Sequence, residues 1–431
     1  MFWQIELETI SRPKLEKLQL ERLNKTLKLV SENVPFYKKA LKKHKITPSS
    51  IKRVSDIEKL PFTTREDLQA NYPEGLLACG REDVVRLHTS SGTTGKPKAV
   101  FFTKQDLDNS ANLIARCLVA TGCTKHDVLQ NMMSYGLFTG GLVMHYGAEK
   151  LGMLIIPSAI GNTERQIMLM QDFGTTTIHL TPSYALYLAS IFEQKGINPG
   201  KDLKLKRAFM GAEPYTEETR TKLETSLGID VFNSYGLTEM NGPGVAFECT
   251  EKNGMHIWED NFIAEIIDPV TDKSVPEGEY GELVLTTINR EGMPILRYRT
   301  RDITAVFTEK CRCGRTHRRI RRIKGRADDM FIIRGVNIYP QQVERVLMGV
   351  KGVGKNYQIL LEANDEMTVK VEFAKESFDG NLDHLKALKG NIQTALRAEI
   401  LVKPVIELSE PGTLPVSEGK AKRVIDNRKV F

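Results

Sequence analysis

Cysteine is scarce: the 431 residues hold six, scattered and not paired by spacing. That excludes a disulfide framework and makes a reducing, cytoplasmic setting the expected one. Met1-Phe2-Trp3-Gln4-Ile5-Glu6 has no basic stretch followed by an apolar core, so no secretory leader is expected. No apolar run is long enough to span a bilayer, so no membrane partner is expected either. Charge of one sign hardly accumulates: Lys plus Arg number 61 against 54 for Asp plus Glu, a formal net charge of +7. So mild an excess suits small anionic ligands and does not point to nucleic acid. Repeats and low-complexity tracts are lacking. What remains, 41% hydrophobic and 27% charged residues, is ordinary for a globular protein, and the length is too great for one core.

Ser11 is placed to cap a helix carrying Pro13 in its first turn, with Leu15, Leu18, Leu23, Leu27 and Val30 at helical spacing until Asn33–Tyr37 breaks it. From Val84 to about Asn241, short apolar strands alternate with helical patterns, which argues for a largely parallel sheet. Leu151–Pro157, Thr176–Leu180, Ala208–Met210 and Asp230–Phe232 read as strands, and Thr163–Phe173 as a helix. From His256 to Phe307 the texture becomes strand after strand, with Ile263–Ile267, Gly281–Thr287 and Ile303–Phe307 as examples. Past Gly325-Arg326-Ala327-Asp328-Asp329, a β-α-β-β-α-β order suggests a small α+β domain, and Lys422 onward reads as a charged tail. The expected division is therefore an α/β part, residues 1–327, of mostly parallel sheets flanked by helices with a small β-rich portion, and a small mobile α+β part, residues 328–431.

The most informative stretch is His88-Thr89-Ser90-Ser91-Gly92-Thr93-Thr94-Gly95-Lys96-Pro97-Lys98. Glycines let the backbone approach a ligand, and free N–H groups, hydroxyls and lysine suit polyphosphate oxygens. Only Thr93-Thr94 separate Gly92 from Gly95, and Pro97 follows the lysine, so this is not a Walker A loop. Two further segments, Gly211-Ala212-Glu213-Pro214 and Ser234-Tyr235-Gly236-Leu237-Thr238-Glu239, end expected strands, where ligands of open α/β sheets bind. Arg297–Asp302 offers a carboxylate after a basic run, and Glu418-Gly419-Lys420-Ala421-Lys422 lies near the C-terminus.

Taken in order, these segments resemble the adenylate-forming superfamily of acyl-CoA synthetases, and within it the phenylacetate–coenzyme A ligase family. Tyr135–Gly141, Gly161–Ile167, Gly254–Asp260, Arg334–Asn337 and Pro411–Leu414 carry the same likeness, which runs from about Glu8 to Arg428. The resemblance implies a two-step reaction. A carboxylate attacks the α-phosphate of Mg-ATP, giving an acyl adenylate and pyrophosphate; the thiol of coenzyme A then takes the acyl group and AMP leaves. It further implies that Ser90, Ser91, Gly92, Thr93, Thr94, Gly95 and Lys96 hold the phosphates, and that Glu239 with Thr238 holds Mg²⁺. Gly211, Ala212, Glu213, Pro214, Asn233, Ser234, Tyr235 and Gly236 would flank adenine, with Tyr235 stacked on it, and Asp302 would accept the ribose hydroxyls. Lys420 would be the catalytic lysine of adenylation, with Lys422 as the rival assignment. Asp328 would be the hinge, Arg326 would touch the nucleotide, and Arg334 with Gly335 would reach coenzyme A. Tyr135, Phe138, Gly140, Gly141, Gly211, Ala212 and Pro243 would form an acyl pocket whose glycines leave a slot for a flat ring. The implied partners are an aryl acid such as phenylacetate, ATP and coenzyme A; a homodimer stays open beside a monomer.

The chain departs from that family in two places. Lys98-Ala99-Val100-Phe101-Phe102 stands where Thr-Val-Val-Gly-Tyr is usual, and Asn131-Met132-Met133-Ser134 where Asn-Ala-Tyr-Gly is usual. Arg318–Lys324 either assists phosphate binding or forms a strand's solvated face. Cys249, His256, Cys311 and Cys313 form a candidate structural zinc site, with His317 as an alternative to His256. Two other functions remain in view: an adenylate-forming enzyme with another acid or acceptor, and a basic nucleic-acid-binding protein built around Arg318–Lys324.

Overall fold

The computed structural model describes residues 1–90, 97–362, 366–377, 381–415 and 422–429. Contacts divide the chain into two compact units, Met1–Ala159 with Phe232–Arg322 and Ile160–Val231 with Ile323–Phe431. The mixed α/β class expected from the alternating patterns is what forms in both.

In the first unit, Pro13 opens the helix Arg12–Asn33, and Leu15, Leu23, Leu27 and Val30 are its buried face. Ser11 occupies the N-cap, but its hydroxyl makes no cap hydrogen bond. The expected break is a junction: Val34 is extended and Pro35 starts a second helix, Pro35–Lys43. Strands Val84–Thr89 and Ala99–Thr103 pair antiparallel, with Thr89 opposite Ala99, and so bracket the glycine-rich segment. At their mouth Ser90 N donates to Lys98 O (3.1 Å) and Lys98 N to Ser90 Oγ (3.1 Å). Thr103 and Asp106 form a capping box for the helix Lys104–Ala120. That helix packs on Thr139–Leu151, where Gly147 is required because a Cβ there would sit 2.2 Å from Ile114 Cβ. Strands Val128–Asn131 and Leu154–Ile156 run parallel.

An antiparallel run in the same unit has the order Val306–Phe307, Arg319–Ile320, Met255–Ile257, Gly242–Glu248 and Asp230–Leu237, the last entering the unit at Phe232. A second antiparallel set is Phe262–Ile267, Gly281–Thr287 and Tyr298–Thr304. The strand foreseen at Ile303–Phe307 is broken between Thr304 and Val306, so Asp302 lies inside Tyr298–Thr304. Arg318 and Arg319 do not form a solvated face. Arg318 Nε donates to Glu259 (2.6 Å), and the buried Arg319 donates to Asn253 O (2.6 Å) and Glu309 O (2.7 Å) over the Phe307 ring.

The second unit pairs Thr177–Leu180 parallel with Arg207–Met210 beside the helices Pro182–Lys195 and Glu217–Leu227. Its C-terminal stretch is a sheet of order Val405–Ser409, Glu366–Phe373, Val353–Glu362 and Val424–Asp426, packed with Pro340–Gly349 and Leu382–Ile400. Val343, Leu347, Ile359, Val369, Val371, Ile392, Leu396 and Ile406 are its fully buried core. The supposed tail is therefore structural in part. Val424–Asp426 is an edge strand, and Arg423 donates to Tyr357 O (3.0 Å) with its guanidinium 4.5 Å over the Tyr357 ring.

Candidate active site

Glu239 organises the best-defined polar site of the first unit. Gly236 and Gly242 face each other across a bulged strand pair; a Cβ on Gly236 would lie 1.7 Å from Gly242 O. Gly242 has φ +76°, and a Cβ there would meet Thr139 Oγ1 at 2.6 Å. Only glycines allow this approach, which folds Leu237–Gly242 into a tight turn with Met240 N on Leu237 O (3.0 Å). Thr238 and Glu239 sit at its tip, and Thr238 Oγ1 lies 3.4 Å from Thr139 Oγ1.

Although it sits in a turn, the Glu239 side chain is buried. Lys98 Nζ forms an ion pair with its Oε1, and Tyr298 OH donates to the same oxygen at 2.9 Å. Arg290 secures the backbone, donating to Glu239 O (2.8 Å) and Met240 O (2.7 Å). Burial pushes the Glu239 carboxyl up, but the Lys98 charge and hydrogen bond outweigh it, and the group lies below the usual carboxylate range. Burial likewise lowers Arg290 to about 10. A buried carboxylate beside a threonine hydroxyl is an oxygen donor set that fits a hard cation. Lys98, Tyr298 and Arg290 were not among the sequence-derived candidates. Lys98 closes the glycine-rich stretch and departs from the family's usual residue, but its partner lies 141 positions away.

The structure brings Tyr235 and Asp302 together: Tyr235 OH donates to Asp302 Oδ2 at 2.6 Å, fixing the ring by its hydroxyl. Asn233 and Ser234 are buried in the strand Asp230–Leu237, not beyond its end as expected. Tyr135 OH receives a hydrogen bond from Asn131 Nδ2 (2.8 Å) and lies 3.2 Å from His145 Nδ1, and His145 Nε2 is 3.1 Å from Glu149. Burial pushes the Tyr135 phenol up to about 12, so it stays protonated and can donate to His145. Asn131 also donates to Gly141 O (2.8 Å), and a Cβ on Gly141 would clash with Ser134 O at 2.3 Å. Phe138 is exposed, Gly140 and Pro243 are half-buried, and Gly141 is buried. His88 Nδ1 (3.1 Å) and Thr89 N (2.9 Å) both donate to Leu137 O, tying this segment to the strand that leads into the glycine-rich loop.

Gly211, Ala212, Glu213, Pro214, Arg326, Arg334 and Gly335 belong to the second unit. Glu213 accepts from Ser183 N (3.1 Å) and Ser183 Oγ (2.6 Å), and Ala212 has φ +66°. Arg326 holds Asp328 with two bonds, Nε to Oδ1 at 2.8 Å and an Nη to Oδ2 at 2.9 Å. Arg334 (φ +49°) and Gly335 (φ +79°) form the two-residue turn between Phe331–Ile333 and Val336–Ile338, a geometry that calls for positive φ at both positions. Ser91 to Lys96 and Lys420 lie outside the described residues, as does Ala421.

Cys249, His256, Cys311 and Cys313 converge in the first unit, with ligand atoms within 4.8 Å of one another. Cys249 Sγ is 3.6 Å from Cys311 Sγ, and Cys313 Sγ is 3.4 Å from His256 Nε2. His317 is not part of the cluster. Its Nδ1 accepts from Glu259 N (2.8 Å) and its Nε2 donates to Leu7 O (2.8 Å), so both ring nitrogens are engaged.

With this geometry in hand, the chain can be set against known proteins. The AMP-binding enzyme family matches residues 12–289, and the AMP-binding enzyme C-terminal domain matches residues 335–428, so the chain is an adenylate-forming enzyme of that class. The phenylacetate–coenzyme A ligase of Thermus thermophilus is 46% identical over all of both chains. That of Escherichia coli is 41% identical over 98% of this chain and 97% of its own. The chain belongs to the phenylacetate–coenzyme A ligase family. Among solved structures, 2-hydroxyisobutyryl-CoA ligase in the postadenylation state, in complex with R3-HIB-AMP, matches at 27% identity with a TM-score of 0.93. The match covers 99% of this chain and 92% of that one. The same enzyme with 2-HIB-AMP and CoA in the thioesterification state matches at a TM-score of 0.74.

Proposed function

We propose that this chain activates phenylacetate, or a closely related aryl acid, with ATP and passes the acyl group to coenzyme A, releasing pyrophosphate and AMP. Four phenylacetate–coenzyme A ligases at 41–46% identity over nearly full length support it as an acid–thiol ligase. The observation that carries the reading is the Glu239 centre, where Lys98 and Tyr298 hold a buried carboxylate in its charged form.

The residues divide the work as follows. The loop 90–96 cradles the β- and γ-phosphates, and Lys96 adds charge. Asp302, oriented by Tyr235, accepts ribose hydroxyls, and Tyr235 presents its ring to adenine. By the family resemblance, Gly211–Pro214 would also flank adenine. Glu239 and Thr238 would hold magnesium, which when bound neutralises phosphate charge. Lys98, which pairs with Glu239 here, would be free to turn to the phosphates once that cation took its place. Tyr135, Phe138, Gly140, Gly141 and Pro243 take the aryl ring. Lys420 binds the substrate carboxylate and the α-phosphate as negative charge builds there.

Lys420 belongs to residues 328–431, which we read as a mobile part hinged at Asp328. Breaking the Arg326–Asp328 pair and turning about that point would withdraw Lys420 and bring Arg334 and Gly335 to the coenzyme A channel. The same reading includes a structural zinc ion on Cys249, His256, Cys311 and Cys313, and a cytoplasmic location; no described helix is long and apolar enough to cross a membrane. The test is an AMP-release assay across phenylacetate, indoleacetate, benzoate and medium-chain acids. Phenylacetate should give the highest kcat/KM; a preference for a medium-chain acid would refute the aryl assignment.

A further inference from the structure

The cysteine–histidine cluster stands apart from the chemistry of acid activation and has its own geometry. A zinc ion with Zn–S of about 2.3 Å and Zn–N of about 2.0 Å in a tetrahedron puts sulfurs about 3.8 Å apart and sulfur and nitrogen about 3.5 Å apart. Two edges of the cluster are 3.6 Å (Cys249–Cys311) and 3.4 Å (Cys313–His256), each close to those values. The histidine is oriented for the task. His256 Nδ1 faces the carbonyl of His317 at 3.2 Å and can only donate to it, so the neutral ring turns the Nε2 lone pair to the sulfurs. Metal-binding histidines are held in this way by a backbone carbonyl. All six cysteines are free thiols, so none of these sulfurs is tied up in a disulfide. The supports differ in rigidity. His256 lies in the strand Met255–Ile257 and Cys249 just past the end of Gly242–Glu248, whereas Cys311 and Cys313 lie on a turn closed by Gly314 at φ +85°.

That turn also carries the N-terminal segment. Arg315 Nε donates to Glu8 Oε2 (2.7 Å) in a buried ion pair, Thr316 N to Glu8 O (3.0 Å), Thr316 Oγ1 to Ile10 O (2.7 Å) and His317 Nε2 to Leu7 O (2.8 Å). Glu8 in turn accepts from Trp3 N (2.8 Å) and Gln4 N (2.7 Å). Residues 1–12 are thus bound in large part to a turn held by two cysteines at one end and, at the other, by His317 and the strand Arg319–Ile320; Trp3 Nε1 also donates to Asn112 (3.2 Å), Arg116 to Gln4 (2.5 Å) and Arg12 to Glu259 (3.0 and 2.8 Å).

We propose that Cys249, His256, Cys311 and Cys313 bind one zinc ion that pins the turn 311–317 to the sheet and, through it, docks the N-terminal segment 1–12. The thiols give up their protons to solvent as the ion binds. All four positions are filled by protein, so the ion is structural and takes no part in turnover. The docking role rests on the zinc included in the reading above and not on the ligase reaction.

The full-length protein, purified without added metal, should carry about one zinc ion per chain by elemental analysis. Grown on cobalt, it should show the intense visible bands of thiolate-bound tetrahedral cobalt. Stripping the zinc with a high-affinity chelator should speed hydrogen exchange in residues 1–12 and 311–317 about tenfold or more, while Leu382–Ile400 stays as before. The two tryptophans report on the same event, because Trp3 belongs to the docked segment and Trp258 stacks on His256 with ring centroids 6.4 Å apart. Cys313→Ser should lose the metal; should that variant not fold, chelation of the unaltered chain decides. Metal-free folded protein, a Cys249–Cys311 disulfide in the purified protein, or zinc removal without faster N-terminal exchange would each overturn the proposal. Because metal content and exchange need no turnover, an inactive but zinc-loaded protein would count against the ligase reading alone.

Discussion

Two buried centres in the first unit show opposite ways of holding charge. At Glu239 a single carboxylate is kept ionised by Lys98 and Tyr298. At Cys249, His256, Cys311 and Cys313 three thiols and an imidazole converge so closely that one ion could satisfy them all. In the proposed cycle the first arrangement exchanges Lys98 for a bound cation. The second leaves no open position, as suits a staple. On the proposed reading, a hard oxygen donor set marks the reaction centre, and sulfur donors with full ligation mark the scaffold.

The contrast can be broken in several ways. Brief exposure to EDTA should abolish AMP release and added magnesium should restore it, with zinc content unchanged throughout; joint loss of both metals would mean that the centres are not independent. Lys98→Met leaves a buried carboxylate unpaired and should cost about 3–5 kcal/mol of stability, read by denaturant unfolding. The double variant Lys98→Met/Glu239→Gln should recover most of that loss. Glu239→Gln alone should lower kcat on the order of 10²–10³-fold with little change in zinc content. The pH dependence of stability follows from the same pair. Because the folded Glu239 lies below its ordinary value of 4.5, its contribution is present above that pH and lost as pH falls through the folded value. Thermal midpoints should therefore fall below pH 4.5; in Lys98→Met, where burial pushes the carboxyl up unopposed, this contribution should reverse, so that mild acidification restores part of the variant's lost stability. Tyr135→Phe, the mildest change, removes the hydroxyl between Asn131 and His145 and should cost about 1 kcal/mol of stability while raising KM for the acid more than it lowers kcat.

Local pattern carried much of this architecture. The helix Thr163–Phe173 and the strand Gly281–Thr287 are legible from spacing and turn residues, and the expected C-terminal β-α-β-β-α-β order forms with two strands added, Val336–Ile338 and Val424–Asp426. The four cysteine and histidine ligands could be grouped because few residue types bind soft metals and they fall in two short segments. What escaped was long-range. Lys98 stood out as unusual, but its purpose depends on Glu239 in a turn that only Gly236 and Gly242 permit. Arg290 carries no local mark at all, since it acts on backbone carbonyls some fifty residues earlier. Val424–Asp426 was hidden because a short edge strand among charged residues looks like a tail until Val353–Glu362 offers it a partner.

The most direct test of the central claim is exchange of labelled pyrophosphate into ATP, measured with phenylacetate and without coenzyme A, beside the Lys420→Ala variant. Acid-dependent exchange in the unaltered protein, lost in Lys420→Ala while preformed phenylacetyl adenylate is still converted to thioester, is the expected result. Absence of exchange with any carboxylic acid, or exchange that survives the loss of Lys420, would contradict it.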